Sequence, residues 1–222
     1  MDISLFHMEQ GSGFPLLLLH GNGEDHNYFE HQVAYFSKLF RVVAVDTRGH
    51  GQSPRGTAPF TIGQFADDLL HFMDMHGIEK AHLLGFSDGG NIALDFVMKY
   101  PDRVGKLVLN GANLFPLGMK IPVYMWVLRH YWKARRNRKP KKQEMLRLML
   151  CQPHFTRRML AAIDKSTLVV AGSRDMIRER HTRRIGRCIK GSRLCIIEGT
   201  HFCANESFER FNEVVEQFLL HS

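Results

Sequence analysis

Residues 81–90 read Ala-His-Leu-Leu-Gly-Phe-Ser-Asp-Gly-Gly, and they contain the most informative local pattern of the chain. It joins an apolar run of strand length to an amphipathic run of helical length through Gly85-Phe86-Ser87-Asp88-Gly89-Gly90, which contains the pattern Gly-x-Ser-x-Gly. A serine on such a strained strand-to-helix turn projects its hydroxyl above the sheet, and the two glycines leave space where side chains would collide. The pattern indicates a nucleophile at Ser87, although a glycine-rich turn of this kind also serves tight packing or phosphate binding.

Strand-like and helix-like runs alternate along the rest of the chain. This alternation predicts an α/β fold whose mostly parallel sheet, of about seven strands, is flanked by helices. The predicted strands are Ile3 to Met8, Pro15 to Leu19, Arg41 to Val45, Ala81 to Phe86, Lys106 to Leu109, Thr167 to Ala171 and Arg193 to Ile197. The predicted helices are Tyr28 to Lys38, Ile62 to His76, Asp88 to Lys99, Arg178 to Lys190 and Ser207 to Leu220. We expect the first strand at an edge of the sheet, joined to the second as an antiparallel hairpin through the short link 10–13.

One segment interrupts this alternation. Residues 114–165 carry methionine, tryptophan and arginine at helical spacing without a strand-like run. We therefore predict a helical lid inserted into an α/β core made of residues 1–113 and 166–222. The net charge of +8 is concentrated in the insertion, because residues 129–158 contain 11 Lys or Arg and one acid, Glu144.

The serine needs two partners to react. Its hydroxyl requires a base within hydrogen-bond reach, and the base requires an orienting carboxylate. In a parallel sheet the carboxyl ends of the strands face one edge, so we expect both partners in loops that follow later strands. Asp175 follows the sixth predicted strand and His201 follows the seventh. An ion pair with Arg174 or Arg178 is the alternative interpretation of Asp175.

Five motifs then establish a resemblance. They are Leu18-Leu19-His20-Gly21-Asn22-Gly23, Asp46-Thr47-Arg48-Gly49-His50-Gly51-Gln52-Ser53, Gly85-Phe86-Ser87-Asp88-Gly89-Gly90, Gly172-Ser173-Arg174-Asp175 and Gly199-Thr200-His201-Phe202. In this order they make the chain similar to a compact serine esterase of the α/β-hydrolase-fold superfamily across nearly its whole length. The resemblance implies that Ser87 is the nucleophile, Asp175 the orienting acid and His201 the general base.

Acyl transfer also requires two N–H donors for the oxyanion of the tetrahedral intermediate. The backbone N–H of Asp88, at a helix N-terminus, is one candidate. The backbone N–H of Asn22 is the other, because Gly21-Asn22-Gly23 lets the backbone approach the substrate and matches the family's H-G-x loop. We expect His20 to hold this loop by a hydrogen bond. The Asp88 side chain is interpreted as capping the helix start, with contact to a cationic amine of the substrate as the alternative.

The basic insertion has three interpretations. It is a solvated helical surface, a docking site for an anionic substrate or an acidic carrier protein, or a nucleic-acid patch. The first is favoured, and no nucleic acid is expected, because the charges of residues 135–142 are too local to follow a groove and no nucleic-acid motif accompanies them. The insertion also has an apolar side, suited to covering an acyl pocket or to packing within the insertion itself. It consists of Tyr124, Met125, Trp126, Trp132, Met145, Met149 and Phe155.

The cysteines and the N-terminus indicate the compartment. Four cysteines without a Cys-x-x-Cys pair or zinc-site spacing favour a reduced, cytoplasmic protein. The start, Met1-Asp2-Ile3-Ser4, has no signal-peptide pattern, and the longest aliphatic run, Leu16 to Leu19, is too short for a membrane span. We expect no cofactor and no metal.

Together these features predict a serine hydrolase that cleaves a carboxylic ester of a small or medium acyl group through an acyl-enzyme on Ser87. Two alternatives stay open. The same scaffold also suits hydrolysis of carrier-bound esters or thioesters, or of carbon–carbon bonds, and a non-catalytic ligand receptor can have a hydrolase fold.

Overall fold

The computed structural model describes residues 2–221; Met1 and Ser222 lie outside the described residues. Its seven strands form one sheet in the order β1-β3-β2-β4-β5-β6-β7. They are β1 (His7–Gln10), β2 (Pro15–Leu19), β3 (Arg41–Val45), β4 (Ala81–Phe86), β5 (Val104–Asn110), β6 (Thr167–Gly172) and β7 (Arg193–Ile197). Every pair of neighbours is parallel except β1 with β3. The predicted fold class, α/β with a mostly parallel sheet of about seven strands, is confirmed.

Helices cover both faces of this sheet. They are α1 (Glu30–Phe36), α2 (Ile62–Met75), α3 (Asp88–Lys99), α4 (Ile121–Arg136), α5 (Pro140–Cys151), α6 (Arg157–Ala161), α7 (Glu179–Cys188), α8 (Cys203–Glu206) and α9 (Phe208–His221). Four strands and α3 begin and end at the predicted residues, and most other predicted bounds differ by one or two. The first predicted helix is split, because a 3-10 turn over His26–Phe29 precedes α1.

The edge strand differs from the sequence-based prediction. β1 covers His7–Gln10 instead of Ile3 to Met8, and it pairs with β3, His7 opposite Val45. The predicted hairpin with β2 is wrong because β2 lies between β3 and β4, which bind both of its edges. The residues before β1 bind a loop instead: the backbone N–H of Phe6 donates to Ser53 Oγ at 2.8 Å.

Consecutive side chains of β4 enter two separate apolar layers, because side chains alternate across a sheet. Leu83 packs in a buried cluster with Phe65 of α2. Leu84 packs on the opposite face with Phe36 of α1 and Phe218 of α9. The strand is therefore held from both sides, and its carboxyl end has a fixed position.

A buried ion pair anchors the loop after β3. The fully buried Arg48 guanidinium binds the Asp68 carboxylate of α2 through Nε and Nη2, each at 2.7 Å, and binds Asp2 through Nη2 at 2.7 Å. Asp2 also accepts a hydrogen bond from the backbone N–H of Ala58. Since an unpaired buried charge costs several kcal/mol, this network ties the first described residues and the loop to α2.

The insertion, residues 114–165, contains α4, α5 and α6. α4 and α5 pack on each other through a small cluster that includes Val127, Ala134 and Leu146. The helical content follows the prediction, whereas the division into core and lid stays a prediction. Across residues 2–221, no helix combines the length and the apolar character needed to cross a membrane.

Candidate active site

Ser87 lies on a strained turn between β4 and α3. Its φ of 52° and ψ of −117° lie in a region that residues other than glycine rarely adopt. The turn is held because the Ser87 backbone N–H donates to the carbonyl of Asn110, at the end of β5, at 2.8 Å. A Cβ on Gly89 would collide with the carbonyl oxygen of Leu19, so the glycine allows α3 to begin directly against β2. The predicted strained turn, with space that only glycine leaves, is confirmed.

His201 and Asp175 meet Ser87 at this edge of the sheet. His201 Nε2 lies 3.0 Å from Ser87 Oγ, and His201 Nδ1 lies 2.7 Å from Asp175 Oδ1. Asp175 and His201 are buried. With Asp175 ionised, Nδ1 carries the proton and Nε2 is left as the acceptor for the serine hydroxyl. The structure therefore brings the three predicted residues into one hydrogen-bonded chain, while their catalytic roles stay a prediction.

The surroundings of Asp175 decide between its two interpretations. Its side-chain partner is the His201 imidazole, and residues 2–221 show no ion pair between it and Arg174 or Arg178. Its Oδ1 also accepts the backbone N–H of Ile177 at 2.7 Å, which fixes the carboxylate. Gly111 faces the imidazole so closely that a Cβ there would lie 2.7 Å from a ring carbon of His201. We did not predict this function for Gly111; its signal is a glycine directly after a buried strand.

The loop that carries Asn22 forms a tight turn after β2. The Glu24 backbone N–H donates to the Gly21 carbonyl, and the Gly21 backbone N–H donates to Glu24 Oε2 at 3.2 Å. Within residues 2–221, the structure gives neither the Asn22 nor the Asp88 backbone N–H a hydrogen-bond acceptor. Both predicted oxyanion donors therefore remain available for a ligand, and their assignment stays a prediction.

His20 holds this turn, as its predicted role requires. Its Nδ1 lies 2.7 Å from the Gly21 carbonyl, and its Nε2 accepts the Thr47 backbone N–H at 3.0 Å. Burial lowers the pKa of His20, which keeps the ring neutral. A neutral ring that donates at Nδ1 and accepts at Nε2 satisfies both contacts at once.

The Asp88 side chain requires a correction. Ser87 occupies the N-cap position of α3, Asp88 is the first helical residue, and no side chain caps this helix end. The Asp88 carboxylate instead accepts from the side-chain amides of Asn91 at 3.0 Å and Asn22 at 2.9 Å. Burial raises the pKa of Asp88, and these two amides oppose the rise. The Asn22 amide also donates to the carbonyl of Met145 in α5 at 3.0 Å, so one side chain joins the turn of residues 21–24, the strained turn at Ser87 and the insertion.

Two further polar residues beside the site were missed at the sequence level. Glu24 is largely buried, and this burial raises the pKa of its carboxyl to about 7. The Tyr28 ring stacks on Phe86 with centroids 4.3 Å apart, and its hydroxyl is buried without a hydrogen-bond partner in residues 2–221. Phe86 in turn contacts the imidazole of His201, with centroids 4.8 Å apart. Glu24 could have been identified from the sequence as an acidic residue directly after the glycine-rich loop. Tyr28 has no comparable signal, because the chain contains many other aromatic residues.

The loop before His201 is also clamped by an acid. Glu206 accepts the backbone N–H and the hydroxyl of Thr200, each at 2.6 Å, and these bonds lower the pKa of Glu206. The Arg174 backbone N–H donates to the Gly199 carbonyl at 2.8 Å. The loops that carry Asp175 and His201 are therefore bound to each other.

The predicted apolar side of the insertion is partly wrong. Met125, Trp126 and Trp132 are exposed, so they do not cover a pocket. The reason is the orientation of α4, which buries Val127 and Ala134 against the rest of the insertion and turns the other side to solvent. The alternative, packing within the insertion, applies to Tyr124 and Met149, whereas Phe155 packs in the apolar layer that contains Leu83 of the sheet.

Within residues 2–221, one cluster brings together side chains of the types that bind metal ions. Ligand atoms of Asp25, His26 and Asp46 lie within 4.8 Å of one another. The Asp46 carboxylate is already bonded, because Oδ1 accepts the His26 backbone N–H at 2.7 Å and Oδ2 accepts that of Gln52 at 2.8 Å. His26 Nδ1 lies 2.9 Å from the same Oδ1, so the cluster forms a hydrogen-bonded loop anchor.

Comparison with known proteins places this geometry in a family. A model of the alpha/beta hydrolase fold matches residues 15–156. The human serine hydrolase BPHL is 31% identical over 242 residues, which cover 98% of this chain and 83% of that protein. Among solved structures, a meta-cleavage product hydrolase from Pseudomonas fluorescens superposes with a TM-score of 0.84 at 21% identity, over 98% of this chain and 94% of that one. The carboxylesterase CesB from Bacillus subtilis has a TM-score of 0.81 at 22% identity, over 100% of this chain and 93% of that one. These two structures share the fold.

Proposed function

This chain belongs to the α/β-hydrolase-fold family, and from that premise we propose that it is a serine hydrolase that cleaves a carboxylic ester of a small or medium acyl group. One observation carries the proposal: the unbroken chain of contacts from Ser87 Oγ through His201 to Asp175, at 3.0 and 2.7 Å. A serine hydroxyl is a weak nucleophile at neutral pH, and this arrangement supplies the base that activates it.

Acylation begins when Ser87 Oγ attacks the ester carbonyl carbon and its proton moves to His201 Nε2. The carbonyl oxygen becomes an oxyanion, which the backbone N–H groups of Asn22 and Asp88 bind. Asp175 stabilises the imidazolium at Nδ1. The tetrahedral intermediate then collapses, the bond to the alcohol oxygen breaks, and His201 returns the proton to that oxygen.

Deacylation repeats the sequence with water. His201 Nε2 takes a proton from the water molecule as its oxygen attacks the acyl carbon, and the second oxyanion occupies the same two N–H donors. Collapse breaks the acyl bond to Ser87 Oγ, which recovers its proton from His201. The products are the acid and the free enzyme, and the residues themselves supply every proton transfer.

The test compares Ser87→Ala with Ser173→Ala, a matched change at an exposed serine near the site. We expect Ser87→Ala to lower kcat on p-nitrophenyl acetate and butyrate on the order of a million-fold and to abolish labelling by a fluorophosphonate probe. Ser173→Ala should retain both. A series of acyl chain lengths then defines the acyl preference.

Normal turnover by Ser87→Ala would refute the acyl-enzyme mechanism. A wild-type protein that neither labels nor turns over any ester in the series would favour a non-catalytic ligand receptor.

One observation favours a second candidate, hydrolysis of a carrier-bound ester or thioester. The strongly basic stretch 129–158 complements an acidic carrier protein. This version predicts that kcat/KM on a carrier-bound acyl group falls steeply with added salt while kcat/KM on p-nitrophenyl butyrate does not. The four free cysteines support a reduced, cytoplasmic location for either activity.

A further inference from the structure

Several large apolar side chains are exposed on α4 and on the turn before it. Leu117, Ile121, Met125, Trp126 and Trp132 are each between 54 and 65% exposed. The last two are the only tryptophans of the chain. A large exposed apolar patch on a folded protein generally marks a surface that something else covers.

Cationic side chains lie between these apolar residues. Arg129, Lys133 and Arg136 recur at helical spacing and form a stripe, with Trp132 on one side of it and Trp126 on the other. Together with His130 these residues form one continuous, solvent-exposed patch on α4. We call this surface the outer face of α4; it consists of Trp126, Arg129, Trp132, Lys133 and Arg136.

No acidic residue of the stretch 129–158 pairs with the cations of this face. Glu144, the one acid of residues 129–158, binds Arg55 at 2.6 Å instead. The face therefore attracts an anionic surface, and the attraction is strongest at low salt.

The shape of the face distinguishes between anionic partners. All six residues of this patch belong to α4 itself, so the surface is the convex side of a single helix. A peptide or a partner helix binds with a defined orientation in a groove between two elements. A fluid lipid surface needs no groove, and interfacial helices combine tryptophan with lysine and arginine in this way.

We propose that α4 docks this protein on an anionic phospholipid membrane surface. In this arrangement Trp126 and Trp132 enter the boundary between headgroups and acyl chains, and Arg129, Lys133 and Arg136 bind lipid phosphates. The helix lies in the interface and does not cross the bilayer. The proposal is independent of the ester-hydrolase assignment, because turnover of short water-soluble esters does not require docking.

The test uses the two tryptophans as built-in reporters. The full chain is mixed with vesicles of phosphatidylcholine alone and of phosphatidylcholine with phosphatidylglycerol, and both sedimentation and tryptophan emission are measured. We expect co-sedimentation and a blue shift with the anionic vesicles only, and both should diminish as salt is added. The triple variant Arg129→Gln, Lys133→Gln, Arg136→Gln should bind the anionic vesicles on the order of 100-fold more weakly.

A matched triple variant, Arg187→Gln, Lys190→Gln, Arg193→Gln, removes the same charge from exposed positions elsewhere and should bind like the wild type. Circular dichroism confirms that both triple variants are folded. Failure to sediment with anionic vesicles, sedimentation without a blue shift, or equal loss in the two triple variants would overturn the proposal. A blue shift with poly-glutamate but not with vesicles would replace the membrane by an acidic protein.

Discussion

The sheet edge that carries Ser87 and the outer face of α4 are opposite kinds of surface. At the sheet edge, His201 and Asp175 are buried, and each is fixed by hydrogen bonds of 3.0 Å or less. On α4, the two tryptophans are about half exposed, and the cations between them point into solvent. The first region acts through distances inside the molecule. The second acts through the charge and apolar area that it presents to a partner, so substitutions in the two regions should affect different measurements.

Asp175→Asn should give the largest effect on the sheet edge. Asparagine keeps the size of the side chain but removes the charge that stabilises the His201 imidazolium, and it favours the wrong tautomer. We expect kcat on p-nitrophenyl butyrate to fall about 10⁴-fold with little change in KM. Asp164→Asn, at an exposed residue of the insertion that pairs with Lys165, is the control and should retain full activity. A loss of less than tenfold in Asp175→Asn would show that this carboxylate is not the orienting acid.

Arg48→Met should give the next largest effect, on stability instead of chemistry. It leaves the Asp68 carboxylate buried without its cation, and breaking a buried pair costs about 3–5 kcal/mol in the free energy of unfolding. Urea denaturation measures the loss. Arg41→Met is the matched control, since Arg41 forms an equally well-oriented pair with Glu9, but at the surface, where about 1 kcal/mol or less is expected. Equal losses would show that burial of the Arg48 pair contributes nothing extra.

Asn22→Ala tests a side chain that joins the sheet edge to α5 of the insertion. It removes the amide that donates to Asp88 Oδ2 and to the Met145 carbonyl. The turn of residues 21–24 therefore loses these hydrogen bonds to α3 and to α5. Because the backbone donor shifts but is not deleted, we expect kcat to fall roughly 30-fold, or about 2 kcal/mol. Asn27→Ala, in the same loop but exposed, is the control. Unchanged kcat in Asn22→Ala would mean that the insertion and the site are independent.

The sequence allowed the sheet edge to be predicted because its geometry depends on few residues. A parallel strand with a glycine-rich turn places Ser87, and the loops after later strands must reach the same edge. This placement made Asp175 and His201 candidates, and the resemblance to the family supplied their predicted roles. The residues that support them depend on tertiary contacts. The position of Gly111 directly after a strand does not reveal that it faces the imidazole, and no local sequence pattern separates Glu206, which binds Thr200, from other acids.

The edge position of the first strand was predicted correctly, whereas its bounds, its partner and the buried side of α4 could not be predicted, for a different reason. Ile3 and Leu5 are typical strand residues. The position of this segment depends instead on contacts with loops, such as the hydrogen bond from Arg48 to Asp2, and no local sequence pattern indicates these contacts. Along α4, apolar residues occur on every side, so the apolar pattern alone does not say which side is buried. Only the packing of Val127 and Ala134 against α5 decides that Trp126 and Trp132 face outward.

Glu24→Gln should give the smallest effect, and its dependence on pH makes it specific. Burial raises the pKa of Glu24 from 4.5 to about 7; the nearby His201 opposes the rise and Asp25 adds to it. The folded state therefore holds the proton more tightly than the unfolded state between these two values, so this carboxyl lowers stability as pH rises through that window. Glutamine keeps an acceptor for the Gly21 N–H and never ionises. We expect Glu24→Gln to be about 1–2 kcal/mol more stable than the wild type at pH 8, after allowance for partial exposure, and equally stable at pH 4.5.

Urea denaturation at both pH values measures this difference in stability. Comparing the variant with the wild type cancels the contributions of other titrating groups. His50, His82 and His181 have pKa values lowered to about 4 by burial, so each lowers stability as pH falls from 6.5 to 4, the opposite sign in an overlapping window. Those contributions are common to both proteins and cancel in the difference. Glu198→Gln, at an exposed acid, should show no such pH dependence. If Glu24→Gln is no more stable than the wild type at pH 8, Glu24 ionises freely, and the turn of residues 21–24 is as solvated as the outer face of α4.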